Sequence, residues 1–372
     1  MKIGIITFSR SQNYGAVLQT YALWRFLEEH GQNAEIIDYV PERCAVELPS
    51  YVDYRTSHSR IWGKNALLKA IWKTVFLKED QESHEHFFRF LRENVKMTCS
   101  YYSNNELKKN CPNEDIYITG SDQVWNTDFT WDHAPDLPFF LDFVPDEHKK
   151  ISYASSFGRE RIPENCRESV RNLLSRYSAV SVREESGVEI LKDLGISAVT
   201  VLDPTFLLTA DEWNSAIKTQ ITQKYLLVFV VHPNKELVRR GKILAERLGV
   251  ELKVCVSTMK NRRKIGSVSV RPDVEEWVAL IKNASYIITD SFHATAFSIQ
   301  FHRQFIVDGS VKYNTRLQNI LCKLGINGRS IDVSNTEVAF DTLNSSIDYK
   351  MVDENLDYLR TRSREWLLSQ MK

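Results

Sequence analysis

The sequence of 372 residues lacks several features that mark common protein classes. Lys plus Arg and Asp plus Glu both number 48, so the formal net charge is zero. This balance argues against a nucleic-acid partner, since such proteins commonly carry a global basic field. The six cysteines form no CxxC pair and no zinc-like spacing with histidine. We therefore expect reduced thiols in a cytoplasmic protein and no bound metal.

Long apolar segments and glycine-rich nucleotide loops are also absent. No apolar run approaches the ~20 residues that span a bilayer. Residues 1–7 lead directly into a predicted strand and lack the apolar core and cleavage site of a signal peptide. The loop at 8–15 has no GxGxxG pattern, which argues against a dinucleotide fingerprint. The sequence therefore predicts a globular protein without a leader or a membrane span.

What the sequence does contain is an alternation of strand-like and helix-like segments, which occurs in two successive halves. In the first half, strands are predicted at 3–7, 34–40, 115–119, 151–154, 179–182 and 199–202, with helices at 16–30 and 184–194. In the second half, strands are predicted at 225–231, 251–256, 286–289 and 304–307, with helices at 235–248, 274–283, 312–324 and 354–371. Successive βαβ units of this kind imply parallel sheets.

The two halves predict an α/β fold with two Rossmann-like domains in a GT-B-like arrangement and a C-terminal helix. The first predicted domain spans 1–210 and includes a helical insertion at about 42–112. The second spans 211–372 and includes the terminal helix. Because parallel sheets bind ligands at the carboxyl ends of their strands, we expect the ligands in a cleft between the halves.

The most informative motif is Asp290-Ser291-Phe292-His293, which follows a short β-branched run. This pattern predicts a strand, a tight turn and a helix that begins at the turn. The first turn of a helix presents free N–H groups and a partial positive charge to anions. His293 in that turn could donate, accept or carry a proton near neutral pH. The motif indicates a phosphate or carboxylate substrate, unless His293 is only a structural helix cap.

Polar clusters follow two strands of the first half. The stretch Gly120-Ser121-Asp122-Gln123-Val124-Trp125-Asn126 combines a carboxylate, two amides and an indole, which suits a saccharide. The alternative is an Asx-type turn with Trp125 in the core. Arg183 stands at a strand end, where its planar guanidinium suits a carboxylate or phosphate. Its alternative role is a surface pair with Glu184.

Two further polar sets are candidates for ligand contact. The first lies in the loop before the first predicted helix and comprises Asn13, Tyr14 and Gly15. The second follows the strand at 304–307 and comprises Lys312, Asn314 and Arg316. The first set could instead cap the helix, and the second could instead be a solvated run of charge.

Five motifs occur in order along the chain, over roughly residues 3–320: Asn13-Tyr14-Gly15-Ala16, the stretch from Gly120 to Asn126, Ser181-Val182-Arg183-Glu184, Leu202-Asp203-Pro204-Thr205 and Asp290-Ser291-Phe292-His293-Ala294. In this ordered set the chain resembles the polysaccharide pyruvyl transferase family. The resemblance implies a GT-B-like fold that moves the pyruvyl unit of phosphoenolpyruvate onto a sugar as a ketal and releases phosphate. It also implies that no cofactor or metal is required, and that the sugar belongs to a surface polysaccharide or its lipid-linked precursor.

The resemblance also suggests roles for individual residues. We assign His293 as general acid or phosphate partner, Arg183 to the donor anion, and Asp122 as base or hydroxyl ligand of the sugar. The other expected substrate contacts are Ser121, Gln123, Trp125, Asn126, Ser291 and Phe292, together with the two polar sets named above. Residues 1–210 are expected on the acceptor side and residues 211–372 on the donor side.

Two other functions compete with this assignment. A glycosyltransferase of the same architecture would use a nucleotide sugar instead of phosphoenolpyruvate. A non-catalytic protein would bind saccharide and turn nothing over. Neutral sugar binding alone does not call for the histidine and the arginine, so these two residues favour catalysis on an anionic donor.

A basic amphipathic segment at 60–78 predicts a peripheral membrane contact, near a lipid-linked acceptor at the inner face of the membrane. One predicted helical face carries Ile61, Leu68, Trp72, Val75 and Phe76. Lysines at 69 and 73 lie nearly opposite. Such a helix can lie in a bilayer interface, although the alternative is that its apolar face packs on the protein's own domain.

Overall fold

The computed structural model describes every residue except 58, 60, 218–222, 233, 267–268 and 310–314. The chain forms two compact units, of which the first comprises residues 1–200 and the second residues 201–370. Each unit is built on one six-stranded sheet. All of the strand pairs in both sheets are parallel, as the βαβ pattern predicted.

The first unit contains six strands and seven α-helices within its described residues. The strands are β1 (Lys2–Ile6), β2 (Asn33–Ile36), β3 (Ile116–Thr119), β4 (Lys149–Ser155), β5 (Ala179–Val182) and β6 (Val199–Thr200). The helices are α1 (Tyr14–Glu29), α2 (Ser50–Ser57), α3 (Ala66–Trp72), α4 (Lys78–Asn94), α5 (Asn104–Lys109), α6 (Arg167–Leu174) and α7 (Glu185–Asp193). A π-helical stretch, Lys73–Leu77, joins α3 to α4.

The first sheet has the order β2-β1-β3-β4-β5-β6, so its direction of growth reverses between β1 and β3. Ligands of open parallel sheets bind outside the carboxyl ends of strands at such a reversal. The segments that follow β1 and β3 are joined here by a hydrogen bond, in which Thr7 Oγ1 donates to the carbonyl of Ser121 at 2.8 Å. Gly120 makes this approach possible, because a Cβ at that position would lie 2.9 Å from the Thr7 Cβ.

The second unit contains six strands and eight α-helices within its described residues. The strands are β7 (Tyr225–Val230), β8 (Glu251–Val256), β9 (Ser269–Val270), β10 (Tyr286–Thr289), β11 (Gln304–Asp308) and β12 (Ser330–Ile331). The helices are α8 (Ala210–Ala216), α9 (Lys235–Leu248), α10 (Met259–Ile265), α11 (Val274–Asn283), α12 (Phe292–Gln300), α13 (Thr315–Lys323), α14 (Thr336–Asn344) and α15 (Tyr349–Ser369).

The second sheet has the order β12-β11-β10-β7-β8-β9 and reverses between β7 and β10. Every residue of β7 is buried, as expected for a central strand covered on both faces. The predicted helix at 235–248 and strand at 251–256 coincide with α9 and β8. Asn234 caps α9 by accepting from the Leu237 amide at 3.0 Å, and Gly249 ends it in the left-handed conformation.

Two predicted element boundaries differ from the structure by more than three residues. The strand predicted at 34–40 ends at Ile36, because the Tyr39 amide turns back to the Ile37 carbonyl at 2.9 Å. The helix predicted to begin at 354 begins at Tyr349, where the Asp348 side chain accepts from the Met351 amide and caps it. Local hydrogen bonds of this kind set an element's end more sharply than hydrophobic periodicity does.

The second unit begins at Val201, before the predicted domain boundary at 210/211. The segment between these two points belongs to the second unit because the C-terminal helix α15 forms hydrogen bonds with it. The Leu202 amide donates to Ser363 Oγ at 3.0 Å, which also ends the strand predicted at 199–202. Arg360 Nε donates to the Phe206 carbonyl at 2.8 Å. Arg360 also pairs with Asp357, and burial lowers the pKa of its guanidinium.

We expect Arg360→Ala to lower the free energy of unfolding by about 2–4 kcal/mol, because the buried Phe206 carbonyl loses its donor and the side-chain stem leaves a cavity. Urea denaturation followed by far-UV circular dichroism measures the change. Arg362→Ala on the same helix is the matched control, since Arg362 is exposed and its loss should cost no more than about 0.5 kcal/mol. Equal effects of the two substitutions would contradict the role of Arg360.

Candidate functional site

The strand, turn and helix that the sequence predicted are present as β10, the turn at Asp290 and Ser291, and α12. Ser291 is the N-cap of α12, and its Oγ accepts from the Ala294 amide at 3.3 Å. Its own amide donates to Thr289 Oγ1 at 3.0 Å. Phe292 and His293 therefore occupy the first two positions of the helix, where backbone N–H groups have no intrahelical acceptor. This helix end lies at the carboxyl edge of the second sheet, beside the reversal in strand order.

His293 lies next to a buried carboxylate that the sequence analysis did not single out as a site residue. Its Nε2 is 3.6 Å from Asp203 Oδ2, which is an ion-pair distance rather than a hydrogen bond. Asp203 is 1% exposed and is oriented by Thr205, whose amide and Oγ1 donate to Oδ1 at 3.0 and 2.8 Å. Among the described residues, Nε2 has no hydrogen-bond partner. The pair has the composition used to orient an imidazole for proton transfer.

A second histidine, which the sequence analysis missed, follows β7 at the same sheet edge. Asp290 accepts from the amides of Val231 and His232 at 2.8 and 2.9 Å, and its Oδ2 lies 3.1 Å from His232 Nδ1. This hydrogen bond raises the pKa of His232 above its usual 6.5. The signal in the sequence was a histidine directly after a fully apolar strand. The Asp290 side chain is 2% exposed, whereas that of His232 is 68% exposed.

Cationic groups were expected after β11, and the structure describes one of the three predicted residues there. The positive charge of Arg316 disfavours a second positive charge on His232 and so partly offsets the rise in the His232 pKa. Lys312 and Asn314 lie outside the described residues. The second unit thus brings together a helix N-terminus, two histidines and an arginine, which suits an anionic ligand.

In the first unit, Arg183 follows β5 and is buried rather than part of a surface pair. Its Nη2 lies 3.4 Å from Asp122 Oδ1, and its Nε lies 3.9 Å from Glu184 Oε2. Ser156 Oγ donates to Glu184 Oε1 at 2.5 Å. The surface alternative for Arg183 is therefore wrong, because its side chain is 2% exposed. A buried guanidinium between two carboxylates is held in one orientation.

Asp122 has a strained backbone that directs its carboxylate toward Arg183. Its φ is 74°, in the left-handed region that non-glycine residues rarely adopt. The conformation is held by the Ser156 and Val124 amides, which donate to the Asp122 carbonyl at 2.9 and 2.8 Å. Strain of this kind persists only where the surroundings enforce it, and it is common at functional sites.

The amides of the same loop form a second rigid contact. Asn126 Nδ2 donates to Gln123 Oε1 at 2.7 Å, and both side chains are half-buried. Gly158 packs directly against them, since a Cβ at this residue would lie 2.2 Å from Gln123 Oε1. Gln123 and Asn126 are therefore held in fixed positions in the loop that contains Asp122. Ser121 is fully buried, and its Oγ donates to the Ala154 carbonyl at 2.9 Å.

Trp125 lies in the core, as the alternative interpretation of its loop held. The residue is 1% exposed, and its Nε1 donates to the Phe139 carbonyl at 3.1 Å. Its rings stack on Phe140 with centroids 5.7 Å apart. The indole therefore has no face open to a sugar, because its buried neighbours occupy both the ring and its one polar atom.

In the loop before α1, the three predicted ligand contacts pack and hydrogen-bond within the protein itself. Asn13 caps α1 by accepting from the Gly15 amide at 2.8 Å, and Gly15 is buried within the helix. Tyr14 is 1% exposed, with its ring edge-on to Phe87 at 4.8 Å. The helix-capping alternative therefore describes how this loop is used in the structure. Within the described residues, no cluster of three or more His, Cys, Asp or Glu side chains is placed to hold a metal ion.

Comparisons with known proteins address the family and the fold. A family model described as Polysaccharide pyruvyl transferase matches residues 13–307. No curated protein matches the chain in sequence. Among solved structures, a Methanocaldococcus jannaschii UDP-GlcNAc 2-epimerase in complex with UDP-GlcNAc and UDP has a TM-score of 0.52 at 13% identity, and covers 96% of this chain and 99% of that chain.

Two bacterial structures are similar in the same way. S. aureus MnaA, solved with UDP, has a TM-score of 0.52 at 12% identity and covers 95% of this chain and 90% of that chain. A Listeria monocytogenes structure has a TM-score of 0.54 at 10% identity and covers 100% of this chain and 95% of that chain. Identities this low show the fold alone. Together with the two parallel sheets, they confirm the predicted GT-B-like class with two Rossmann-like domains.

We expect a nuclear magnetic resonance titration to give His232 a pKa above 6.5, and Asp290→Asn to remove the rise. A raised folded-state pKa contributes stability that is fully present below pH 6.5 and is lost as the pH rises through the folded-state value. His232→Gln assigns the signal and leaves the other histidines unchanged. A His232 pKa at or below 6.5 in the wild-type chain would show that Asp290 does not hold the proton.

Proposed function

The chain belongs to the polysaccharide pyruvyl transferase family, and on that premise we propose that it moves the pyruvyl unit of phosphoenolpyruvate onto a sugar as a ketal. The acceptor is a sugar of a surface polysaccharide or of its lipid-linked precursor. The observation that carries the proposal is His293 at the N-terminus of α12, with the buried Asp203 carboxylate 3.6 Å away. A helix N-terminus attracts the anionic donor, and the imidazole supplies a proton beside it.

The chemistry balances without an oxidant, a metal or a cofactor. A proton adds to the methylene carbon of phosphoenolpyruvate and leaves an oxocarbenium-like carbon, to which one sugar hydroxyl bonds as it loses its proton. A second hydroxyl then displaces phosphate from the same carbon, and its proton leaves with the phosphate. The reaction therefore needs a general acid at the methylene carbon and a base at the hydroxyls.

Each proposed role follows from the surroundings of the side chain. His293 is the general acid or the phosphate partner, and Asp203 positions it. Arg183 binds the donor anion, since its guanidinium is already oriented by Asp122 and Glu184. Asp122 is the base or the hydroxyl ligand of the sugar, with Gln123 and Asn126 beside it as further ligands. Ser291, Phe292 and Arg316 complete the contacts proposed in the second unit.

A nucleotide-sugar glycosyltransferase and a non-catalytic saccharide-binding protein are the competing functions. The first would release a nucleoside diphosphate and would not consume phosphoenolpyruvate. The second would bind saccharide with no turnover of either donor. The buried His293–Asp203 pair and the buried Arg183 favour the pyruvyl transferase, because neither competitor needs a proton donor beside an enol phosphate.

We expect phosphate release when phosphoenolpyruvate is combined with a panel of polysaccharide fragments and lipid-linked oligosaccharides, and we expect His293→Ala to slow it about 10²–10⁴-fold. His302→Asn is the matched control, because His302 lies just beyond the other end of α12, is exposed and pairs with Asp353 instead. Asparagine also tolerates the left-handed backbone of that residue.

Three outcomes of the phosphate assay would count against the proposal. Phosphate release by His293→Ala at the wild-type rate would remove its catalytic role. Loss of melting temperature in step with loss of rate would make it structural. Turnover of a UDP-sugar without turnover of phosphoenolpyruvate would replace the pyruvyl transferase with a glycosyltransferase.

We also propose a peripheral membrane contact through the segment predicted for it, but on a different face. Trp72 is 6% exposed and lies 6.3 Å from the Tyr51 ring, so the predicted Trp72 face packs on the protein itself. The apolar side chains that are exposed are Ile61, Leu67, Ile71 and Val75, at 60%, 70%, 42% and 56%. Three of these lie four residues apart along α3 and its π-helical extension, and so form one stripe.

The charge around this stripe suits an anionic lipid surface. Residues 61–78 contain four lysines and no aspartate or glutamate, within a chain whose net charge is zero. Apolar burial and attraction of lysine to anionic lipid act together on such a surface. None of the helices in the described part of the chain is long and apolar enough to cross a membrane. We propose that the contact lies at the inner face of the membrane, where a lipid-linked acceptor would be presented.

We expect the chain to float with anionic vesicles at low salt and the double substitution Leu67→Ser with Ile71→Ser to reduce the bound fraction severalfold, because both side chains lose their apolar contact with lipid. Val338→Ser is the matched control, since this valine is 44% exposed on α14 of the second unit. Equal flotation of the double variant, or none by the wild-type chain, would show that the stripe does not contact lipid.

A further inference from the structure

A group of exposed apolar side chains lies in the loop that follows the Asp122 segment. Phe129, Trp131 and Leu137 are 40%, 54% and 38% exposed. The structure describes all eight tryptophans, and among them Trp131 alone is exposed. Large aromatic side chains are costly to leave in water, so an indole that is 54% exposed is a candidate contact for a ligand.

Hydrogen bonds fix the backbone of the loop that carries Trp131. Thr130 Oγ1 donates to the carbonyls of Thr127 and Ala134 at 3.0 and 2.7 Å. The Ala134 amide donates to Asp132 Oδ1 at 3.1 Å, and the Cys166 thiol donates to the His133 carbonyl at 3.1 Å. A ligand that stacks on Trp131 therefore meets a surface that is already ordered, which lowers the entropy lost on binding.

Aromatic neighbours extend the indole into a wider surface. The Tyr54 ring on α2 lies 5.7 Å from the Trp131 ring at an interplanar angle of 51°. Phe129 packs edge-on to Phe8 at 5.6 Å, with the guanidinium of Arg43 5.9 Å from its ring. The paired rings of Trp131 and Tyr54 offer aromatic surface on which the C–H face of a pyranose can stack.

Polar groups flank the same rings, as sugar hydroxyls require. The side chains of Asp128 and His133 are 54% and 61% exposed and lie 3.6 Å apart. Arg159 pairs with Asp128 from the chain that follows β4. Carboxylate, imidazole and guanidinium groups beside an aromatic face are the combination that binds hydroxyl-rich ligands, whereas a lipid surface would not need exposed acids at the centre of the contact.

This aromatic surface is continuous with the loop that holds Asp122. The Asp128 amide donates to Asn126 Oδ1 at 3.0 Å, and Asn126 in turn donates to Gln123. Arg159 directly follows Gly158, the glycine that packs against Gln123. From this placement we propose that Trp131, with Tyr54 and Phe129, forms the subsite that binds the acceptor saccharide. The inference rests on the proposed function, and it gives to Trp131 the stacking role that the buried Trp125 cannot perform.

Saccharide binding to the full chain tests this subsite without any donor. Saturation-transfer nuclear magnetic resonance with methyl glycosides of glucose, galactose, mannose and N-acetylglucosamine should detect at least one ligand of the wild-type protein. Trp131→Ala should raise the dissociation constant of that saccharide by about ten-fold or more. Trp131→Phe should restore part of the lost affinity, because stacking energy scales with aromatic area. Tyr358→Ala is the matched control, since this tyrosine is 61% exposed on α15 of the second unit.

The turnover assay supplies a second readout. Trp131→Ala should raise the KM for the saccharide acceptor about ten-fold and leave the KM for phosphoenolpyruvate and the melting temperature unchanged. Equal saccharide binding by wild type and Trp131→Ala, absence of binding to all four glycosides, or loss of vesicle flotation in place of saccharide binding would each overturn the subsite. Binding that depends on Trp131 in a chain that releases no phosphate would leave the subsite standing and remove the proposed function.

Discussion

The carboxylate of Asp290 is the contact on which the candidate site residues of the second unit depend. It receives the amides of Val231 and His232, and so joins the ends of β7 and β10 where the sheet reverses its strand order. Without it, two backbone donors at a partly buried sheet edge would lose their acceptor. The same carboxylate raises the pKa of His232, and it directly precedes Ser291, the N-cap of α12, at whose first turn His293 lies 3.6 Å from Asp203.

The first unit solves the same physical problem with a different residue. Asp122 adopts a left-handed backbone, accepts two amides through its carbonyl and faces Arg183 with its carboxylate. In each unit an aspartate at a strand end therefore does two things, since it satisfies backbone donors and holds a titratable or cationic side chain. Parallel sheets favour this arrangement because their strands all end at one edge, where no ladder partner remains for the next amides.

Burial of charged side chains in the first unit is costly in free energy. Arg183 and Glu184 have side chains only 2% and 3% exposed, and an ion pair of this kind rarely stabilises a fold more than apolar residues of similar volume would. The pair therefore fixes the orientation of the Arg183 side chain more than it adds to the stability of the fold. Trp131 shows the reverse cost, because its ring is 54% exposed although it is large and apolar.

The sequence by itself determined the α/β class, both sets of parallel strands, the capped start of α12 and the family, because these depend on local periodicity, strand-end composition and motif order. It also placed Arg183, Asp122 and His293 at strand ends. Only the tertiary structure decided which polar and aromatic residues are buried and which are exposed, since Trp125 and Trp131 lie in one loop yet one is buried and the other exposed. Only the fold could bring Asp203 beside His293, because residues far apart in the chain meet through packing that local patterns do not encode.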